Sequence, residues 1–477
     1  MAGSANPGSA STGRAPSAVA HADIVPMVWL SCGLAALAGL LFGMDIGVIS
    51  GALPFINKEF DLSPSMEGWI VSSMMVGAAV GALSAGSISK NMGRKRALLA
   101  SSLLFIVGAL VCVAATGPTL LWIGRILLGL AVGVASFTAP LYLSEVTPER
   151  IRGTTISFYQ LMVTVGILAA FVSNAAFSYI ESWRWMFGVL TIPAILLFFG
   201  ALSVPNSPRW LAAKDRFDEA RNVLSKLRGT SEEVEYEMSE IQEAISQESE
   251  SKGWAMFWRN SNFRRSVFLG IALQIVQQFT GMNVIMYYAP QIFQASGFEG
   301  TSASLWATVV TGLTNVLATF IAIALIDRAG RKPILFAGFG IMAVTMAVLS
   351  FVLYIGATNT ALQYTGLAAV LLFVAGFAMS AGPMIWTLCA EIQPLQGRDF
   401  GIGASTGANW IGNFGIGYFF PIMFAGIGGA WTFGLLAVVN AVFILFTLAF
   451  VPETKGISLE KIEKNLLSGK RLRNIGT

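Results

Sequence analysis

Twelve predominantly apolar stretches, each about twenty residues long, follow one another along the chain. They cover approximately 27–50, 67–89, 97–115, 119–143, 154–178, 185–204, 266–292, 303–326, 334–356, 364–388, 400–423 and 431–451. A helix of about 20 residues crosses the roughly 30 Å hydrocarbon core of a bilayer, so the pattern predicts twelve transmembrane helices. The alternation of apolar and polar positions in short segments that marks a membrane β-barrel is absent. One polar interruption is long: residues 205–265, where SPRWLAAKDRFDEARNVLSKLRG runs into the acidic EEVEYEMSEIQEAISQESE. Apolar residues recur there at three- and four-residue steps, predicting short amphipathic helices in a cytoplasmic linker. The expected layout is a disordered cytoplasmic tail (1–22), a six-helix half (23–204), the helical linker (205–265), a second six-helix half (266–451) and a cytoplasmic C-terminal tail (452–477).

The halves repeat. GRKRAL from Gly93 returns as GRKPIL from Gly330, Glu145, Pro148 and Arg152 return at the same spacing as Glu391, Pro394 and Arg398, and VPNSPRW from Val204 is answered by VPETKG from Val451. All three landmarks recur roughly 240 residues apart, at the ends of corresponding spans. An all-α membrane protein of two pseudo-symmetric six-helix halves follows, with a solute site expected between halves that rock about it.

Composition agrees: 55% of residues are hydrophobic, 12% are charged and the mean hydropathy is +0.68, against about 25% charge in a soluble domain. Lys58 and Arg184 fall beside one set of short loops and Arg125 lies within a span, while the remaining Lys and Arg gather on the other side. The positive-inside rule makes that side cytoplasmic, and an even number of spans puts both termini there. The net charge of +4 reports this topology and gives no reason to invoke nucleic acid. The single histidine, His21, precedes the first span, and Cys32, Cys112 and Cys389 lack metal-ligand spacing. No metal or cofactor is expected, and with no nucleophile–base pair or phosphate loop the chain does not read as an enzyme.

Two charges lie deep in apolar runs: Asp45 in LLFGMDIGVISGALPF and Arg125 in LLWIGRILLGLAVG. Intramembrane charge is expensive and by default marks function. Counting about 1.5 Å per residue, Asp45 is about 27 Å from the cytoplasmic entry of its span and Arg125 roughly 9 Å from the outer entry of its own, so the two can meet. Arg keeps its proton whereas a partly desolvated Asp can gain and lose one, and the pair is the expected proton switch. A fixed ion pair joining two helices is the competing reading. At the cytoplasmic helix ends, Arg94 with Glu145 and Arg152, and Asp327 and Arg331 with Glu391 and Arg398, are expected gating charges that hold the inner side shut in one state.

The seventh span carries Gln274, Gln277 and Gln278 on one face, then Thr280-Gly281, where the backbone is expected to loosen, and Asn283, Tyr287 and Tyr288. Carboxamides both donate and accept, which suits the hydroxyls of a neutral polyol. Gln160, Asn315, Asn409 and Asn413 add amides in other spans, and Trp386, after a helix break expected at Gly382-Pro383, and Trp410 offer flat faces for a sugar ring. Singly, each such amide is more often helix–helix glue than a ligand contact. Together, without matching buried charges, they favour a neutral hydroxylated solute.

FGMDIGVISGA, GRILLGLAVG, PLYLSEVTPERIRG, SPRWL, QQFTGMNVIMYY, DRAGRK, AEIQPLQGR and VPETKG resemble the motifs of the sugar porter family of the major facilitator superfamily, over nearly the whole chain after the tail. The resemblance implies the major facilitator fold and a monosaccharide site at Gln160, Gln277, Gln278, Asn283, Asn315, Trp386 and Asn409, with Tyr287, Trp410 and Asn413 as secondary candidates. It also implies proton coupling, because uniporters of the family commonly have Asn where this chain has Asp45, and it favours a monomer in a bacterial cytoplasmic membrane. Lys90 and Asn206 depart from the family's cytoplasmic motifs, away from the solute site. The expected function is proton-coupled uptake of a galactose- or glucose-type hexose. A sugar uniporter, a pentose–proton symporter, a transporter of another solute class and a sugar receptor stay open.

Overall fold

The structure, a computed structural model, describes residues 24–247, 253–325 and 329–476. The tail at 1–22 and the gating candidate Asp327 lie outside the described residues. Among those described, eleven helices are long and apolar enough to cross a membrane. The last, Arg398–Phe450, holds one residue of non-helical conformation, Gly428, at φ 83° and ψ 159°. Only glycine takes that backbone without strain, so two spans meet there and twelve result. Spans one to six are Pro26–Phe60, Pro64–Met92, Arg94–Val113, Pro118–Val146, Glu149–Ser178 and Trp183–Ser203. Spans seven to ten are Ser261–Ala295, Thr301–Ala324, Arg331–Ile355 and Thr360–Glu391. We call the linker-bearing end of the bundle inner and the opposite end outer.

Small residues set the packing of the first span, since lipid-solvated helices gain little from burying more apolar surface. Gly39, Gly43, Gly47 and Gly51 form a stripe at four-residue steps, and a Cβ on any of them would collide with the fifth span at Tyr159, Val163, Ala170 or Asn174. The stripe presses the two backbones together, and Asn174 Nδ2 donates to the Gly47 carbonyl at 3.0 Å. Asp45 is carried between Gly43 and Gly47, on a helix held without play.

The repeated motifs repeat in conformation too. Gly93 and Gly330 precede the third and ninth spans at φ 88°, ψ 159° and φ 86°, ψ 160°. Across the halves, the second span packs on the eleventh and the fifth on the eighth. Three hydrogen bonds between described residues join the halves at the outer end: Gln291 to Glu67, Ser178 with Ser302 and Trp306 to Tyr179.

Two spans are broken where the site forms. The seventh divides into Ser261–Phe279 and Met282–Ala295 around Gly281 at φ 97°, as the sequence predicts. The tenth breaks at Ser380, at φ −130° and ψ −92°, rather than at Gly382-Pro383, which lie in the first turn of Ala381–Glu391. Proline is tolerated there because first-turn N–H groups have no intrahelical acceptor.

The linker forms helices at Pro208–Ala212, Phe217–Leu227, Ser231–Gln247 and Gly253–Arg259. The first three share a small core of Trp210, Leu211, Leu224, Val234, Met238 and Ile241. They dock on the N-terminal half, where Arg228 pairs with Glu237 at 2.6 Å and donates to the Val146 carbonyl, and Trp210 Nε1 donates to the Lys90 carbonyl. The fourth packs on the C-terminal half through Trp254 and Phe257 against Phe400. The C-terminal segment folds onto its own half: Glu453 accepts from the backbone N–H groups of Arg331 and Lys332. Burial raises the Glu453 carboxyl, but the N–H groups of Lys332, Lys455 and Arg331 outweigh it and hold the group below its ordinary range.

Candidate functional site

Asp45 and Arg125 meet. Arg125 Nη1 donates to Asp45 Oδ1 at 3.0 Å, and both side chains are 0% exposed. Arg125 spends Nη2 on the Val71 carbonyl at 3.2 Å, so it grips the first and second spans from the fourth. The pairing is single rather than the two-pronged fork Arg can make with a carboxylate: among the described residues Asp45 Oδ2 and Arg125 Nε have no hydrogen-bond partner. One oxygen of the acid is therefore available to a proton without breaking the bond the other makes.

The amides of the seventh and eleventh spans are held in three hydrogen-bonded sets, together called the amide network. Asn409 Nδ2 donates to Gln274 Oε1 at 2.6 Å and to Gln277 Oε1 at 2.9 Å. Gln277 Nε2 donates to the carbonyls of Ala381 and Gly382, both at 3.0 Å, at the start of the helix that follows the break in the tenth span. Asn283 Nδ2 donates to Gln278 Oε1 at 2.5 Å across the break at Gly281. Asn413 and the Tyr287 hydroxyl are 3.2–3.3 Å apart, and Tyr288 donates to the Gly417 carbonyl at 2.8 Å.

Three of the expected site residues stay outside this network. Among the described residues Gln160, Asn315 and Trp386 make no hydrogen bond to it; Gln160 is exposed, Trp386 is 44% exposed and Asn315 is buried. Gln274, absent from the resemblance-implied set although it shares the face of Gln277, belongs to the network through its Oε1, which accepts from Asn409. The two sites touch through aromatics: the ring of Phe42, one helical turn before Asp45, lies 6.2 Å from that of Trp410, the neighbour of Asn409.

The charges expected to gate the inner side divide. Arg94 holds Glu145 with two bonds of 2.8 and 2.7 Å, and Arg331 holds Glu391 at 2.8 Å, so the repeated motif forms the same pair in each half. Arg152 and Arg398 do not join them: neither makes an ion pair among the described residues, and Arg398 Nη2 reaches only the Gln393 carbonyl at 3.5 Å. Their shared spacing fixes their place at a helix start, not a common carboxylate. Both pairs are internal to a half, which fits a bundle parted at its inner end. A cleft of about 480 Å³ at the outer end, lined by Lys58, Ser178, Glu181 and Ser302 among others, shares no residue with the amide network.

Comparison with known proteins agrees with this geometry. Residues 31–466 match the family described as "Sugar (and other) transporter". The chain is 57% identical over 450 residues to the galactose-proton symporter of Escherichia coli K12, covering 94% of this chain and 97% of that one. It is 51% identical over 445 residues to the arabinose-proton symporter of the same strain, covering 93% and 94%. Its fold superposes on the inward-open conformation of the xylose transporter XylE from E. coli with a TM-score of 0.80 at 30% identity, over 92% of this chain and 99% of that one. Built from two six-helix halves and matched along nearly its whole length, the chain belongs to the sugar transporter family of the major facilitator superfamily.

Proposed function

We propose that the protein carries a monosaccharide into the cell together with a proton, by alternating access, as a monomer in a bacterial cytoplasmic membrane with both termini cytoplasmic. The observation that carries this reading is the fully buried Asp45–Arg125 pair on a helix whose Phe42 touches Trp410 beside the amide network. With the outer mouth open, a proton reaches Asp45 Oδ2 and neutralises the acid. Arg125, released from its charge partner, turns toward backbone acceptors such as the Val71 carbonyl it already contacts. The first span then loses its electrostatic tie to the fourth, and its shift is transmitted through Phe42 to the helix bearing Asn409.

Gln277, Gln278, Asn283 and Asn409 bind the sugar hydroxyls, each exchanging an amide–amide bond for an amide–hydroxyl bond of similar worth, so entry and exit stay cheap. Gln274, Tyr287 and Asn413 border them. Gln160, from the other half, completes the site when the halves approach, Asn315 and Trp386 join it from the half that carries the amides, and Trp410 supplies an apolar wall. A galactose- or glucose-type hexose is the favoured cargo, supported by the greater identity to the galactose relative than to the arabinose one.

The test is flux. Asp45→Asn removes the proton acceptor and keeps a hydrogen-bonding side chain of the same shape, so uphill accumulation is expected to vanish while sugar exchange across the membrane persists. Accumulation at the parent level would sink the proton role of Asp45.

A further inference from the structure

Glu67 is a buried carboxylate that neither the proton site nor the sugar site uses. It lies in the first turn of the second span, 6% exposed. Among the described residues no cation forms an ion pair with it. Its partners are two carboxamides: Gln291 Nε2 donates to Oε1 at 2.7 Å and Asn57 Nδ2 to Oε2 at 3.3 Å. Asn57 is aimed by its own oxygen, which accepts from the Leu62 N–H at 3.1 Å. Gln291 comes from the other half, on the outer piece of the seventh span, beyond the Gly281 break and one residue after Pro290. The seam around the contact is tight. The Tyr418 carbonyl of the eleventh span lies where a Cβ on Gly68 would stand, and Trp69 meets Phe414 edge-on at 5.9 Å.

A carboxylate withdrawn from water without a cation is held only by the donors it finds. In the shut outer mouth these are Asn57, which travels with Glu67, and Gln291, which does not. When the halves part, water takes the place of Gln291, so this single amide offsets the cost of drying the acid. We propose that Glu67 and Gln291 are the latch of the outer gate, positioning residues that set how much of the protein stands with its outer mouth shut. The proposal rests on the alternating-access reading and adds to it a charged contact that, unlike the hydroxyl contacts Ser178–Ser302 and Trp306–Tyr179 beside it, ties closure of the outer side to the drying of an acid.

The test reads gate opening directly. Ser72→Cys places a reporter at a fully buried position of the seam, against Gly417 of the eleventh span. Its reaction with a membrane-impermeant maleimide added to intact cells reports the outward-open fraction, and the parent with its three buried native cysteines gives the background. Gln291→Ala strands a buried charge and is expected to speed labelling about tenfold or more, the loss of one hydrogen bond to a charged group. Adding Glu67→Ala removes the stranded charge and is expected to return labelling to within about threefold of the reporter protein, a coupling that independent contacts do not show. Gln291→Lys supplies a cation and is expected to slow labelling below the reporter protein. A Gln291→Ala variant labelled at the reporter's rate, a double variant faster than Gln291→Ala, or a faster Gln291→Lys variant would each overturn the latch. One substitution opens the gate and another closes it, so loss of folding does not imitate the result. Labelling needs neither sugar nor proton, and its failure is separate from failure of the symport reading.

Discussion

At Asp45 and Arg125 the membrane itself makes the sequence readable. A charge among apolar residues is so costly that it stands out and its partner can be sought by depth alone; the two side chains meet at 3.0 Å. The amides are legible as a face, because Gln274, Gln277 and Gln278 recur at helical steps, but their individual duties are not. Gln277 Nε2 is committed to two carbonyls of the tenth span, a link more than a hundred residues away in sequence. Gln277→Ala is therefore expected both to weaken sugar binding about tenfold and to lower the melting temperature without sugar, as one hydrogen-bonding group worth about 1 kcal/mol is lost on each count. Unchanged affinity by sugar-dependent fluorescence or calorimetry would remove it from the site. Glu67 escapes the sequence reading for the opposite reason: at a span's first turn a carboxylate looks solvated, and only the packing of the other half buries it.

Elements are read less sharply than residues. Hydropathy finds the spans but not their breaks, since Ser380 interrupts the tenth helix while the more conspicuous Gly382 and Pro383 sit within the next one. Gly428, by contrast, falls in the gap that hydropathy leaves between the stretches 400–423 and 431–451, although the helix stays continuous up to it on both sides. The glycine stripe of the first span has its four-residue period in plain view, yet its partner is given only by the fold. Gly43→Val drives a side chain into the Val163 backbone and is expected to abolish folded, active protein, whereas Gly33→Val meets nothing within 4 Å and is expected to be tolerated. Fluorescence-detected size exclusion compares the two. The ninth span offers a pH test through Glu453, whose carboxyl lies below its ordinary value because backbone N–H groups outweigh its burial. A lowered folded pKa gives stability that is present above the unfolded value and is lost as pH falls through the folded one. Thermal melts should thus show Glu453→Gln less stable than the parent at neutral pH, with the gap closing in acid; a gap independent of pH would rule out the ionised cap.

For the whole molecule, the repeats foretell two alike halves, and the paired Gly93 and Gly330, Arg94–Glu145 and Arg331–Glu391 are their physical expression. Which end is shut lies in no repeat, because both states use one sequence; the outer hydrogen bonds between the halves and the likeness to an inward-open relative supply it. Gln160, carried by the other half, stands apart from the amides, and on the alternating-access reading proposed above it reaches them only when the halves close. Proton-coupled uptake is the central claim, and external pH in a lightly buffered, de-energised suspension of cells expressing the protein tests it most directly. Galactose, glucose, xylose and arabinose are pulsed in turn. Alkalinisation on a hexose pulse, absent in Asp45→Asn, is the expected result; sugar entry with no change in pH would contradict symport and leave Asp45–Arg125 a structural ion pair in a uniporter.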